Sequence, residues 1–306
     1  MDQPRFLSLP NSPIETADVV LLPLPHEQTV SYGGGTANGP QALLTASEQL
    51  EFYEEDRGWT PFEHLRLCVA PPLRQAAAET AEDYHRRVAT TAAECGPERL
   101  VIGLGGEHSA SIGLVAGRMP TPGTIVHIDA HADLRASYQG SAYSHACPAW
   151  HWLQAGHRLI QIGVRSAHAQ EAALWRSSDR ISVFRDRQLC RADGWHRLIA
   201  ELTDLSGPVY LSIDVDGFDP AVFPSTGTPQ PGGLSWHQGL DILEMVLGNR
   251  RVQLAGVDVM ELIPDPMRIA DMAGAKLVQK VISYWAAARG WMDRPRQGSQ
   301  VGAPDE

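Results

Sequence analysis

Short apolar runs recur along the chain and are separated by longer amphipathic or polar stretches. Within the runs Val, Ile and Leu occupy neighbouring positions, which is typical of strands that are covered on both faces of a sheet. Eight strands are predicted on this basis: Asp18–Leu24, Leu65–Ala70, Leu100–Leu104, Thr124–Asp129, Leu159–Val164, Ile181–Phe184, Val209–Asp214 and Leu254–Val259.

Helix-like segments lie between several of these predicted strands. They are rich in alanine or carry apolar residues at three- and four-residue spacing, which predicts helices over Ala77–Glu94, Asp193–Leu205, His237–Leu247 and Ala270–Ala288. Strands that alternate with helices predict a mainly parallel, doubly wound α/β sheet. We expect one domain, with loosely ordered segments up to about Pro13 and from Arg294 to Glu306.

The composition narrows the class of protein. Of the 306 residues 43% are hydrophobic, and no run approaches the roughly 20 apolar residues that a membrane-spanning helix needs, so no membrane partner is expected. The first residues lack the features of a secretory signal, and the four cysteines show no CxxC pairing, which is typical of free thiols in the cytoplasm. A net charge of −11 argues against nucleic acid as a partner and mildly favours a cationic ligand.

Two segments place acidic and imidazole side chains two residues apart, directly after apolar runs. They read His-Ile-Asp-Ala-His-Ala-Asp at 127–133 and Ser-Ile-Asp-Val-Asp-Gly-Phe-Asp-Pro at 212–220. Because a strand sends residues i, i+2 and i+4 to the same face, this spacing predicts matching faces at two strand ends, where open parallel sheets bind their ligands. Buried carboxylates need a compensating positive charge, and more than one metal ion is the simplest source.

A third segment, Gly-Gly-Glu-His-Ser at 105–109, follows another predicted strand and adds an imidazole. A single Asp-x-Asp pair is often a cap or turn, and a single histidine is often a loop residue, but three such segments together favour a metal site. Four carboxylates neutralise two divalent cations, and this donor set suits Mn²⁺ better than Zn²⁺, with Ni²⁺, Co²⁺ and Fe²⁺ still open. Two such ions predict hydrolysis by metal-activated water. The candidate ligands are His108, Asp129, His131, Asp133, Asp214 and Asp216.

These three segments, in this order, resemble the ureohydrolases, the family of arginase and agmatinase. The stretches 224–234 (Pro-Ser-Thr-Gly-Thr-Pro-Gln-Pro-Gly-Gly-Leu) and 258–261 (Asp-Val-Met-Glu) strengthen the resemblance, which extends from about Val19 to Ala288. The chain is most similar to bacterial and archaeal agmatinases at Thr-Val-Ser-Tyr 29–32, Asp-Leu-Arg 133–135 and Tyr-Ser-His-Ala-Cys 143–147.

The resemblance implies a three-layer α/β/α fold around an eight-stranded, mostly parallel sheet. It also implies two metal subsites that share Asp129 and Asp214. The first of them adds His108 and Asp133, and the second adds His131 and Asp216.

The same resemblance gives roles to three further residues. Glu261 matches the position whose carboxylate pairs with the guanidinium group of the substrate, a planar cation suited to bidentate binding. His145 matches the histidine that handles protons, because the leaving amine must be protonated. Thr228 is expected to contact the substrate. His127 shares the strand parity of Asp129 but has no place in the family pattern, so we expect it in the core or behind the ligands.

Agmatine, cleaved to putrescine and urea, is the leading substrate expected. Guanidinobutyrate, aminopropylagmatine, guanidine and a biguanide stay open, and arginine is disfavoured because Leu134–Gly140 replaces the loop that reads its amino-acid end. A one-metal, deacetylase-like amidohydrolase and a non-catalytic subunit are alternatives of other classes, and the complete set of ligands argues against both. By family analogy we expect a homo-oligomer, a trimer or a hexamer.

Overall fold

The computed structural model describes residues 4–296. Eight strands form one sheet, and all of its neighbouring strands run parallel. They are β1 Val19–Leu24, β2 Leu67–Val69, β3 Leu100–Gly105, β4 Thr124–Ile128, β5 Arg158–Val164, β6 Ile181–Arg185, β7 Gly207–Asp214 and β8 Val252–Met260. Their order across the sheet is β2-β1-β3-β8-β7-β4-β5-β6. All eight predicted strands are confirmed, with ends that differ by at most two residues.

Nine α-helices occur in the part of the chain that the structure describes. They are α1 Gly39–Ser47, α2 Ala81–Glu94, α3 Ser111–Arg118, α4 Pro148–Gln154, α5 Ala169–Ser177, α6 Asp186–Leu189, α7 Ala192–Thr203, α8 Trp236–Leu247 and α9 Ile269–Ala288. The four predicted helices correspond to α2, α7, α8 and α9. The predicted start at Ala77 is four residues early, because Thr80 caps α2 by accepting a hydrogen bond from the Asp83 N–H.

The side chains of each strand alternate between two apolar cores, one on either face of the sheet. In β1, Val19 and Leu21 belong to a core that includes side chains of α1, α8 and α9. Val20 and Leu22 belong to the other core, which includes side chains of α2, α3 and α4. The fold is therefore a three-layer α/β/α sandwich, as expected from the sequence.

The segment before β1 is ordered against the core, contrary to the expectation for residues up to Pro13. Phe6, Leu7 and Leu9 are buried in the apolar cluster that includes α1 and α9, because three large apolar side chains lie within four positions. At the other end, Arg294 pairs with Asp18. The remainder of the predicted loose ends, 1–3 and 297–306, lies outside the described residues.

Two further features of the described chain bear on its class. None of its helices combines the length and the apolar character that crossing a membrane requires. All four cysteines are free, and Cys68, Cys95 and Cys147 are buried while Cys190 is exposed. The expectation of free thiols is confirmed.

Candidate metal centre and active site

The candidate site lies where the four central strands end. His108 follows β3, Asp129 follows β4, Asp214 is the last residue of β7 and Glu261 directly follows β8. Because β3, β8, β7 and β4 are neighbours in a parallel sheet, their carboxyl ends meet at one edge. The topology therefore brings together residues that are more than 150 positions apart in sequence.

The first group of donor atoms surrounds the imidazole of His108. Its Nδ1 lies 3.2 Å from an Asp129 oxygen, 3.3 Å from an Asp133 oxygen and 3.3 Å from an Asp214 oxygen. Metal–ligand distances of about 2.1 Å at right angles place neighbouring donors about 3 Å apart, so this spacing suits one cation between them.

The second group shares Asp129 with the first. His131 Nδ1 lies 3.4 Å from Asp129 Oδ1 and 3.0 Å from Asp216 Oδ2. Asp129 thus presents one oxygen to each group, as a ligand shared by two ions would have to do. Asp214 directs Oδ2 at His108, while its Oδ1 accepts the N–H of Asp216 at 2.8 Å.

The pKa shifts within the cluster indicate that bound cations would stabilise its buried carboxylates. Burial raises the pKa of Asp214 well above its usual range, and the charges of Asp216 and Asp129 raise it further. Burial opposes protonation of His131, yet its hydrogen bonds with Asp129 and Asp216 raise its pKa to about 12. The carboxylates of Asp129 and Asp216 therefore stabilise a positive charge on His131, in the position where a metal ion provides the same charge. The donor set, rich in oxygen with two imidazoles, fits divalent metal ions.

The six candidate ligands converge, but not by the strand parity that the sequence predicted. β4 ends at Ile128, so His131 and Asp133 lie in the loop beyond it, and Asp133 has a left-handed backbone with φ of +52°. Asp216 lies in a single 3₁₀ turn after β7. The parity argument was wrong for these three residues, because the strands end before them and loop geometry aims their side chains.

Ser212 and Asp258 form a hydrogen-bonded chain that ends at the imidazole of His108. Ser212 Oγ lies 3.0 Å from His108 Nε2 and donates to Asp258 Oδ1 at 2.7 Å. A hydroxyl has one proton to give, so the Ser212 oxygen accepts the Nε2–H of His108 and leaves Nδ1 with its lone pair. This arrangement orients a ligand histidine in the manner common at metal sites. Both residues belong to the sequence motifs described above, but their spacing gave no signal of this contact.

His127 lies behind Asp129, as expected. It is fully buried, its Nε2 lies 2.8 Å from Asp129 Oδ2, and its Nδ1 lies 3.1 Å from the side-chain nitrogen of Gln161. Its ring is close enough to the first group to offer a donor atom. The bond to Asp129 instead makes it a partner of a ligand.

Glu261 is a buried carboxylate beside the metal ligands, and its backbone is left-handed with φ of +66°. Its Oε1 accepts the His108 N–H at 2.7 Å. Its other oxygen points at Gly227, where an added Cβ would lie 3.0 Å away. Burial, assisted by the charges of Glu107 and Asp216, raises the pKa of Glu261 to about 8. A cationic partner would therefore stabilise the ionised form of this buried carboxylate.

His145 and Thr228 lie across the mouth of the site. Thr228 Oγ1 is 3.4 Å from Asp216 Oδ2. His145 lines a small cavity together with Glu261, Gly227 and Thr228. It also lines a larger cavity of about 320 Å³ that reaches His131 and continues between residues 131–138 and 166–171. Of the nine predicted site residues, five line these two cavities: His131, Asp133, His145, Thr228 and Glu261. The other four, His108, Asp129, Asp214 and Asp216, adjoin them through the contacts described above.

A separate acidic group, Glu54, Glu55 and Asp56, lies away from these residues. The ammonium of Lys280 on α9 contacts all three carboxylates. Its charge satisfies the group, which is therefore a structural ion-pair cluster that fastens the loop before β2 to α9.

Comparison with known proteins agrees with this geometry. The family model described as the arginase family matches residues 17–283. The chain is 37% identical to N(1)-aminopropylagmatine ureohydrolase of Thermus thermophilus over 291 residues, covering 93% of this chain and 96% of the relative. It is 35% identical to agmatinase of Pyrococcus horikoshii over 284 residues, covering 92% and 96% of the two chains.

A solved structure of agmatine ureohydrolase of Thermoplasma volcanium superimposes with a TM-score of 0.81 at 26% identity, covering 95% of this chain and 97% of that one. The fold of this chain is therefore shared with a solved agmatine ureohydrolase over nearly the whole length of both chains. With a family model that spans most of the sequence and relatives above one third identity, the chain belongs to the arginase family and is a hydrolase of the ureohydrolase type.

Proposed function

We propose that this protein hydrolyses the guanidino group of a small aliphatic amine to urea and the corresponding amine. The observation that carries the proposal is the position of Glu261. Its carboxylate is buried, has one oxygen directed at the cavity, and lies beside six metal-type donors. A guanidinium cation satisfies such a carboxylate and is held next to the metal site.

Two divalent ions, foremost Mn²⁺, are the proposed cofactors, with Ni²⁺ and Co²⁺ as alternatives. His108, Asp129, Asp133 and Asp214 would hold one ion, and the second would be held by His131, Asp216 and the shared aspartates. When bound, the ions lower the pKa of water so that it is ionised at neutral pH. The buried aspartates would hold this pair by offsetting its four positive charges.

Glu261 binds and orients the substrate in this scheme. A planar guanidinium that pairs with its free oxygen turns its carbon toward the metal ligands, and Gly227 leaves the room that the pairing needs. The raised pKa of Glu261 falls when the cation arrives, so that the carboxylate is ionised in the complex.

His145 protonates the leaving nitrogen. Expulsion of an amide anion is prohibitive, so the C–N bond breaks as the amine nitrogen receives a proton. The imidazole lines both cavities, between the site and bulk water, and is therefore placed to take up a proton from solvent and deliver it. Thr228 lines the same two cavities as His145.

The amine tail occupies the larger cavity. Agmatine is the short candidate, and its N1-aminopropyl derivative is the long one. Relatives of 35–37% identity that are named for aminopropylagmatine favour the longer compound, and the agmatinase of Pyrococcus horikoshii favours the shorter. The cavity continues past Arg135 and His168 toward Glu171, which gives a longer tail a polar path. Arg135 stacks on Tyr138 and lies 3.9 Å from Glu171, so its charge is partly engaged and gives less support to acidic tails such as guanidinobutyrate.

Urea release from a panel of guanidino compounds tests the proposal. With Mn²⁺ supplied, we expect agmatine or aminopropylagmatine to be hydrolysed about tenfold faster, or more, than guanidinobutyrate and arginine. Glu261→Gln should lose activity and keep two metal ions per chain, whereas Asp129→Asn should lose metal as well. No urea from any compound refutes the function, and one ion per chain refutes the paired centre.

A further inference from the structure

His145 is held by a hydroxyl of the loop that follows β1. Thr29 Oγ1 accepts the backbone N–H of His145 at 3.0 Å. The same oxygen lies 3.1 Å from His145 Nδ1. One threonine thus contacts both the backbone and the ring of the residue.

The hydroxyl of Thr29 can donate one hydrogen bond, and Glu107 accepts it. Thr29 Oγ1 donates to Glu107 Oε1 at 3.0 Å, while Glu107 Oε2 accepts the N–H groups of Gln28 and Thr29 at 2.6 and 2.7 Å. Glu107 is buried and surrounded by donors, and an ionised carboxylate only accepts hydrogen bonds. The Thr29 oxygen has two lone pairs, and these remain for the backbone N–H and the ring of His145.

We propose that Thr29 and Glu107 are positioning residues that hold His145 in the tautomer with its proton on Nδ1. The inference deepens the role proposed for His145 in the reaction and rests on it for its chemical meaning. The contacts that fix the tautomer exist whatever the substrate is.

The tautomer determines what the ring offers to the cavity. With Nδ1 protonated, Nε2 carries the lone pair, and it faces Ser31 Oγ at 3.3 Å on the side of the small cavity. Nε2 takes a proton from solvent water to give the imidazolium, transfers it to the leaving nitrogen as the C–N bond breaks, and returns to the neutral ring. In the opposite tautomer, Nε2 of the neutral ring has no lone pair to accept the proton.

A second hydroxyl competes for the same ring nitrogen. Ser144 Oγ lies 3.5 Å from His145 Nδ1, at the outer limit of hydrogen-bond distance, and accepts the Ala146 N–H. If Ser144 donated to Nδ1, the other tautomer would result. The closer approach of Thr29 and its backbone bond to His145 favour Thr29, and Ser144→Ala provides the matched control.

Nitrogen NMR of protein containing ¹⁵N-labelled histidine reads the tautomer directly. The Zn²⁺-loaded protein avoids paramagnetic broadening, and the signals of His145 are those lost in His145→Asn. We expect the neutral ring to carry its proton on Nδ1 in the wild type, in Thr29→Ser and in Ser144→Ala. In Thr29→Val, which removes only the hydroxyl, the proton should move to Nε2. A wild-type ring protonated on Nε2, or an unchanged tautomer in Thr29→Val, overturns the inference.

Kinetics then separate positioning from a merely structural role. Thr29→Val should lower kcat for urea release by about tenfold to 100-fold, part of the roughly 10²–10⁴ that proton transfer contributes, with KM and metal content unchanged. Thr29→Ser should restore it. Equal losses in both variants would contradict the inference. If no guanidino compound yields urea, the proposed function fails while the NMR result still decides the tautomer.

Discussion

Two hydroxyl groups orient the two histidines on which the proposed chemistry depends. Ser212 donates to Asp258 and receives His108, and Thr29 donates to Glu107 and lies against His145. In each case the hydroxyl donates its hydrogen bond to a buried carboxylate. The imidazole must therefore donate its N–H to the hydroxyl oxygen. His108 thereby presents Nδ1 to the ligand aspartates.

Removing the Ser212 hydroxyl should weaken the metal site. In Ser212→Ala the His108 Nε2–H loses its acceptor, and loss of such a partner typically costs 10- to 100-fold in metal affinity. Calorimetric titration of the apo-protein with Mn²⁺ measures the change. Ser283→Ala is the control, because within residues 4–296 that hydroxyl bonds only the Gln279 carbonyl of α9. Equal affinity in the two variants would show that Ser212 does not orient the ligand.

The reactive residues could be predicted from the sequence, whereas their partners could not. The six candidate ligands were predictable because clustered carboxylates directly after apolar runs are costly to bury without a cation. Thr29 and Ser212 stood out only as parts of longer motifs, since a hydroxyl is compatible with most environments. The contact between Thr29 and His145 joins residues 116 positions apart, and no local pattern records it.

Among the elements, the loops beyond the strands are fixed by one guanidinium. Arg165, just after β5, donates to six backbone carbonyls: those of Gly163, Asp216, Gly217, Phe218, Gln230 and Pro231. It joins the turn that carries Asp216 to the segment that follows Thr228. The planar fork of five N–H donors is suited to this, and a lysine ammonium has only three.

Arg165→Lys should therefore loosen the second donor group while keeping the charge. We expect weaker binding of one of the two ions, by about tenfold, and a rise in KM because Thr228 is displaced as well. Metal analysis after dialysis at graded Mn²⁺ concentrations measures the first effect. Arg158→Lys, at a partly exposed pair with Glu201, is the matched control. If both variants retain two ions equally well, Arg165 does not hold the loop.

The strands were predictable because buried parallel strands are almost continuously apolar, as the burial of every β1 and β3 residue shows. The helices α1 and α3 to α6 were missed because they are short, at four to nine residues each. The ligand loops depend on left-handed backbones at Asp133 and Glu261, which are not glycines. Non-glycine residues seldom adopt this conformation, so residue type alone could not predict it at these two positions.

At the scale of the whole molecule, the buried acidic site makes the metal-free protein sensitive to pH. The pKa of Asp214 and Asp216 is raised by burial and by neighbouring charge, and that of Glu261 is raised to about 8. A folded state with raised carboxyl pKa values binds more protons than the unfolded chain, so stability falls as pH rises toward those values. The raised pKa of His131 acts in the same direction, since its contribution is lost above the ordinary histidine value of about 6.5.

We therefore expect metal removal to destabilise the protein more at pH 8.5 than at pH 6. Thermal unfolding of chelated and Mn²⁺-loaded protein at the two pH values gives the difference in Tm, which should widen at the higher pH. Binding of the ions also strengthens as their ligands lose protons, which adds to the trend. A gap that stays constant or narrows would mean that the metals do not offset the buried charge.

The strand order has a consequence for synthesis on the ribosome. β8 is the last strand along the chain, yet it lies between β3 and β7. During translation β1 to β3 can pair in one sheet fragment with His108, and β4 to β7 can pair in another with Asp129 and Asp214, but nothing joins the fragments until Met260 has emerged. In the nascent chain His108 is therefore separated from the other five donors, and the set can come together only after β8 has been synthesised.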